Sequence, residues 1–129
     1  MSDLYRKATS KSVARAFEDL QAALKQHKFG LLHHYDFQET LKNKGFDLPE
    51  ACLVLEVCNP AQAHAVLGID MNLNMALPCR ISIYEDAGQT WIGMVPPTEQ
   101  LKLISDDPQI AKAAGGVEAA LKAIIDEAA

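Results

Sequence analysis

No stretch of this 129-residue chain concentrates positive charge, and no glycine-rich loop is present that would cradle a phosphate. Twelve lysines and arginines stand against seventeen aspartates and glutamates, for a net charge of −5. A basic face is what neutralises nucleic-acid phosphates, so this balance argues against a nucleic-acid partner. Apolar runs are only strand-length, too short for a membrane-spanning helix, and the first seventeen residues contain none that would serve as a signal peptide. Three cysteines are an odd number for a disulfide framework, and reduced thiols in the cytoplasm are the expectation. Neither a C-x-x-C nor an H-x-x-x-H pair occurs, so no familiar zinc spacing is met. No Ser-His-Asp set is indicated by the spacing either.

What is present reads as one domain over 1–129, large enough to bury a core unaided. Leu4–Thr9 suits an edge strand. From Ser12, a good N-cap, apolar residues recur at Val13, Phe17, Leu20 and Leu24 with Ala16 and Ala23 beside them, which is helical spacing. Residues 30–37 read as a strand, and Asp36 then caps a short helix that closes at Gly45. ACLVLEVC at 51–58 is a dense strand with Leu53, Leu55 and Val57 on one face and Cys52, Val54, Glu56 and Cys58 on the other. Asn59 and Pro60 fit the N-cap and first helical position, so a helix follows at once and ends near Gly68. A loop is expected over 69–77.

CRISIYEDAGQTWIGMV at 79–95 is the clearest hairpin, turning near Gly88. Pro96 and Pro97 stop it. A helix is expected around 100–104, and Asp107-Pro108 opens a last one, interrupted at Gly115-Gly116, where a bend is expected. The fold class is therefore α/β in two layers (α+β), a mostly antiparallel sheet with helices on one face. Trp91, Ile92 and Met94 put apolar residues on both faces of one strand, which predicts a homodimer formed through the sheet or hairpin.

Cysteine, histidine and helix start converge at one end of the 51–58 strand. Cys58 lies just before a helix N-terminus, whose free N–H groups favour negative charge. Cys79 opens the neighbouring strand, and His64 lies about a turn and a half into the helix. His33 and His34 face opposite ways, so at most one can join. The candidate site is Cys58, Asn59, His64, Cys79 and His34, capped by the 69–77 loop. Three readings stay open: packing, since small buried cysteines are common; a transition-metal site from Cys58, Cys79 and His64 with His34; and a reactive thiol with His64 or Glu56 as base. His27 is expected at a solvated helix end, and Arg80, Ser82 and Tyr84 on a polar strand face.

Asp36 with ETLKNKGFDL, CNPAQAH at 58–64 and LPCRISIYED at 77–86 together resemble the domain of unknown function 302 family, nearly end to end. The resemblance implies a compact α/β fold of the TATA-binding-protein-like kind, often found as homodimers, and no defined activity. MNLNM at 71–75 looks like its variable loop. The function expected is thus a small-molecule or partner-binding module, whose partners are itself and a small-molecule ligand, with no nucleic acid and no membrane. The alternative is a cysteine-dependent redox, persulfide or metal-binding protein using Cys58 and Cys79. No cofactor is singled out beyond the transition-metal candidate.

Overall fold

The computed structural model describes residues 4–129. Five strands, β1 (Tyr5–Thr9), β2 (Gly30–Asp36), β3 (Cys52–Cys58), β4 (Cys79–Asp86) and β5 (Gln89–Met94), form one sheet in the order β1-β5-β4-β3-β2. Every pairing is antiparallel. The helices are α1 (Val13–Gln26), α2 (Phe37–Asn43), α3 (Pro60–Ile69), α4 (Pro97–Lys102) and α5 (Pro108–Ala128).

Caps fix where the helices begin. Ser12 accepts from the Arg15 N–H, Asp36 from Glu39, Asn59 from Gln62, and Asp107 from Gln109. Each satisfies a donor that the first helical turn leaves free. The hairpin turns at Ala87-Gly88, where both residues have positive φ, 52° and 79°. Those are the values a two-residue turn needs to match the twist of its strands, and glycine adopts them without strain.

Alternation along the strands decides the two faces. Leu55 and Val57, Ile81 and Ile83, and Ile92 and Met94 all point inward. They meet Ala16, Leu20 and Leu24 of α1 and Leu121, Ile124 and Ile125 of α5 in one apolar cluster. Each fully buried leucine or isoleucine contributes about 1.5–3 kcal/mol relative to exposure. A second cluster, Val66, Leu73, Leu101, Ile110 and Ala114, joins α3, α4 and the N-terminal half of α5. The other sheet face carries Glu56, Arg80, Ser82, Tyr84 and Trp91.

Four expectations are corrected. Residues 69–77 are not an open loop: Met71–Ala76 form a 3-10 helix, capped by the Asp70 side chain on the Asn72 N–H and pinned by fully buried Leu73. The helix after the hairpin begins earlier, at Pro97, because proline suits a first helical turn. Gly115-Gly116 do not interrupt α5, which runs unbroken for 21 residues because Ile110 and Ala114 on one side of the pair and Leu121, Ile124 and Ile125 on the other are buried. Ile92 and Met94 belong to the core, leaving Trp91 alone on the outer face of β5, with the Arg6 guanidinium 3.9 Å over its ring. The outer face is consequently polar and aromatic rather than apolar. His27 is also partnered, its Nε2 standing 3.0 Å from a Glu127 oxygen.

Candidate functional site

At the end of β3 the chain turns directly into α3, because Asn59 caps and Pro60 is pre-set for the first turn. β4 starts beside it, with Val57 opposite Cys79 in the register. These two strand ends, α3, α4 and α5 enclose a cavity of about 40 Å³. Val57, Cys58 and Cys79 form its sheet wall, Ala63 and Val66 its α3 wall, and Leu101, Ala114 and Val117 the side from α4 and α5. Asn59, Gln62 and Gln100 supply the few polar groups. One water needs roughly 10–15 Å³, so the space suits a group the size of about three waters. Walls so apolar offer a water few partners and favour an apolar occupant.

The sequence brings Cys58, Asn59 and Cys79 together here, as the structure does. Neither histidine lines the cavity. His64 is exposed on α3, and His34 packs its ring 5.0 Å from Phe17 on the helix-covered side of β2. His33 turns to the other side, against Tyr35 at 4.5 Å. Among the described residues no three histidine, cysteine or acidic side chains are grouped to hold a metal ion. The capping element of the expected site is the 3-10 helix, through Ala76, followed by Leu77 and Pro78.

Electrostatics oppose a thiolate. Burial pushes the Cys79 thiol up to about 11, and the neighbouring Cys58 adds to the shift. Burial raises Cys58 as well. The helix N-terminus does not reverse this, since the Asn59 side chain already accepts the Gln62 N–H that would otherwise face an anion. All three cysteines are free and half-buried. The cavity residues from α4 and α5, well downstream of both cysteines, are ones the sequence did not reveal. A run of small residues, Ala113 and Ala114 beside Ala63 and Ala76, was their only local sign.

A family model described as "Domain of unknown function DUF302" matches residues 5–128. The chain is similar to the uncharacterized conserved protein DUF302 from Bacillus stearothermophilus, whose crystal structure matches it with a TM-score of 0.94. The two are 32% identical over 100% of each chain. No curated protein matches. Among the described residues no helix is long and apolar enough to cross a membrane.

Proposed function

The chain belongs to the DUF302 family, and from that premise we propose that it is a small-molecule-binding module whose cavity between the β3–α3 junction and α5 takes the apolar end of its ligand. The observation that carries this is the cavity itself: an apolar hole of about 40 Å³ at two strand ends, with carboxamides at its rim. Asn59, Gln62 and Gln100 are placed to meet a polar end outside. The raised thiols favour Cys58 and Cys79 as soft, neutral wall groups over a nucleophile or a metal-binding pair.

We place the module in the cytoplasm, where free thiols persist, and read it as a homodimer, since among the described residues no helix covers the outer face of its sheet and neither end strand, β1 or β2, pairs with a further strand. Its acidic balance does not favour nucleic acid as a partner.

The test is an amide-resolved NMR titration with short aliphatic alcohols such as ethanol and 2-propanol, whose apolar ends match the cavity's size. Shifts confined to Val57–Gln62, Cys79 and the facing turns of α4 and α5, and lost in Ala63→Val, are expected. Shifts scattered over the surface, or unchanged in that variant, would refute the site.

A further inference from the structure

Only three arginines occur in the chain, and two of them stand on the outer face of the sheet. Arg15, the third, lies on α1 beside Glu18 and Asp19. The register sets Arg6 opposite Gly93 and Gly93 opposite Ser82, in one row across β1, β5 and β4. Arg80 lies two residues from Ser82 on β4 and shares its face. A Cβ at Gly93 would stand 2.8 Å from the Arg6 Cβ, so glycine lets β1 approach and leaves a trough in the middle of the row. The trough has two adjoining parts: about 130 Å³ beside Arg6 and Tyr84, and about 360 Å³ beside Arg80 and Met75. Ser82 and Val95 line both. The larger part alone has the volume of a small-molecule site.

Charge and shape agree on what fits there. The chain carries a net charge of −5, yet among the described residues the one charged side chain lining each part is an arginine. Arg6 is held ready: its guanidinium lies 3.9 Å over the Trp91 ring and donates to the Tyr84 hydroxyl at 3.0 Å. Among the described residues it meets no carboxylate, and most of its N–H donors remain for a ligand. Arg80 has only Glu56, 4.0 Å from its Nε, and the other oxygen of that carboxylate already accepts from the Tyr35 hydroxyl. β4 and β5 are interior strands, so their backbone N–H groups are spent in the ladders and form no nest of the kind that cradles a phosphate. Flat guanidinium donors and a serine hydroxyl match a carboxylate instead. Met75 and Val95, 71% and 45% exposed, give the rest of such a ligand an apolar flank.

We propose that this trough is a second binding site, on the sheet face away from the cavity, for a small organic carboxylate with a hydrophobic body. The carboxylate sits over Gly93 between the Arg6 guanidinium and the Ser82 hydroxyl. The body extends along Val95 toward Met75, and Arg80 adds attraction from the far side. Arg6 is the anchor because Trp91 and Tyr84 already fix its side chain, so little freedom is lost on binding. Neither this site nor the cavity needs the other, and their tests read different amides.

The experiment is an amide-resolved NMR titration of the intact chain at fixed ionic strength with benzoate, with benzamide as its uncharged counterpart, and with inorganic phosphate. Benzoate is expected to shift the amides of residues 6, 82–84 and 93–95 to saturation and to leave Val57–Gln62 in place. It is expected to bind at least about threefold more tightly than either comparison. Arg6→Gln is expected to weaken benzoate about tenfold and Arg80→Gln about threefold, the difference between a hydrogen-bonded charge and an exposed one. Arg15→Gln removes the same charge from α1 and is expected to leave the affinity unchanged. Circular dichroism establishes that each variant is folded. Arg6→Lys, which keeps the charge and loses the fork, takes the place of an unfolded Arg6→Gln and is expected to weaken binding by a smaller factor. Benzamide or phosphate binding as tightly as benzoate would overturn the site, as would Arg15→Gln weakening benzoate as much as the Arg6 variant does. Shifts at residues 6 and 82–84 that follow protein concentration instead of benzoate would also overturn it, since a second copy would then cover the face. Benzoate shifts confined to Val57–Gln62 would overturn the trough and leave the cavity standing.

Discussion

Cys79 offers the sharpest test of the reasoning about the site. Its thiol is pushed up to about 11 from an ordinary 9, first by burial and then by Cys58. The folded state therefore holds a proton that the unfolded chain loses above pH 9. The stability that this proton represents is fully present below pH 9 and is lost as pH rises to 11. Two pH units at 1.36 kcal/mol each make the loss roughly 2.7 kcal/mol. Tyr5 titrates in an overlapping range, so the measurement is a comparison: urea unfolding of the native chain and of Cys79→Ala at a series of pH values from about 8 to 11, roughly the window those two pKa values set. The native chain is expected to lose about 2–3 kcal/mol more than the variant over this range. Alkylation reports the same quantity kinetically, because only thiolate reacts. At pH 8 the native thiolate fraction is about a hundredth of the unfolded one, and iodoacetamide labelling of Cys79 is expected to slow in that ratio. Parallel stability curves, or Cys79 labelled as fast as in urea, would refute the burial argument and return the thiolate reading to the front.

Two further groups give independent outcomes. Thr98 donates its hydroxyl to Glu118 at 2.6 Å and its backbone N–H at 3.2 Å, and Lys122 lies 3.4 Å from the other oxygen. Burial alone would raise Glu118, but these partners hold it below its ordinary 4.5. Thr98→Val is expected to cost about 1.5–3 kcal/mol at pH 7, as a bond to a charged group is lost. That cost should shrink as acid protonates Glu118, and a cost independent of pH from chemical denaturation would count against the pairing. Tyr5 is raised to about 12 by burial and by its bond to Asp126, so ultraviolet titration should show one tyrosine ionising last, a step absent from Tyr5→Phe. Its stabilising effect is present below pH 10 and fades through pH 12, and three tyrosines ionising together would sink the assignment.

Most of the fold could be read from residues because local signals agreed with one another. Caps at Ser12, Asp36, Asn59 and Asp107 stand where short-range chemistry puts them, and the 53, 55, 57 alternation assigned both faces of β3 before any neighbour was known. Two of the misreadings share one cause, tertiary burial overriding a local preference. Leu73, fully buried, folds 71–76 into a 3-10 helix, where five residues with two asparagines suggest a loop. Core contacts on both sides carry α5 through Gly115-Gly116 against a propensity cost of about 1 kcal/mol per glycine. Half of the site was legible for the opposite reason: Cys58 and Cys79 are brought together by adjacent strand ends, which pairing dictates. His64 was misplaced because its position on α3 depends on which face the helix buries. With Val66 its one buried residue, that helix carries almost no amphipathic signal.

The cavity lies where the two core clusters meet: Phe29, Val57 and Val117 reach it from one, Val66, Leu101 and Ala114 from the other. Alanines 63, 76, 113 and 114 stand along that seam, where larger side chains would close it. A void left by imperfect packing and a void kept for a ligand have the same shape but respond differently to filling. An empty apolar volume costs about 24 cal/mol per Å³, so 40 Å³ represents roughly 1 kcal/mol of stability forgone. Ala63→Val, at the half-buried rim of α3, adds two methyl groups toward that space and is expected to raise stability by up to about 1 kcal/mol, less a few tenths for β-branching in a helix. If the void serves binding, the same substitution must abolish the alcohol-induced shifts at Val57–Gln62, trading function for stability as a filled site does. A variant that is more stable and still binds would show that the ligand sits elsewhere. One that is less stable would show that the seam is already packed to its limit, and the cavity would then be no candidate for a site at all.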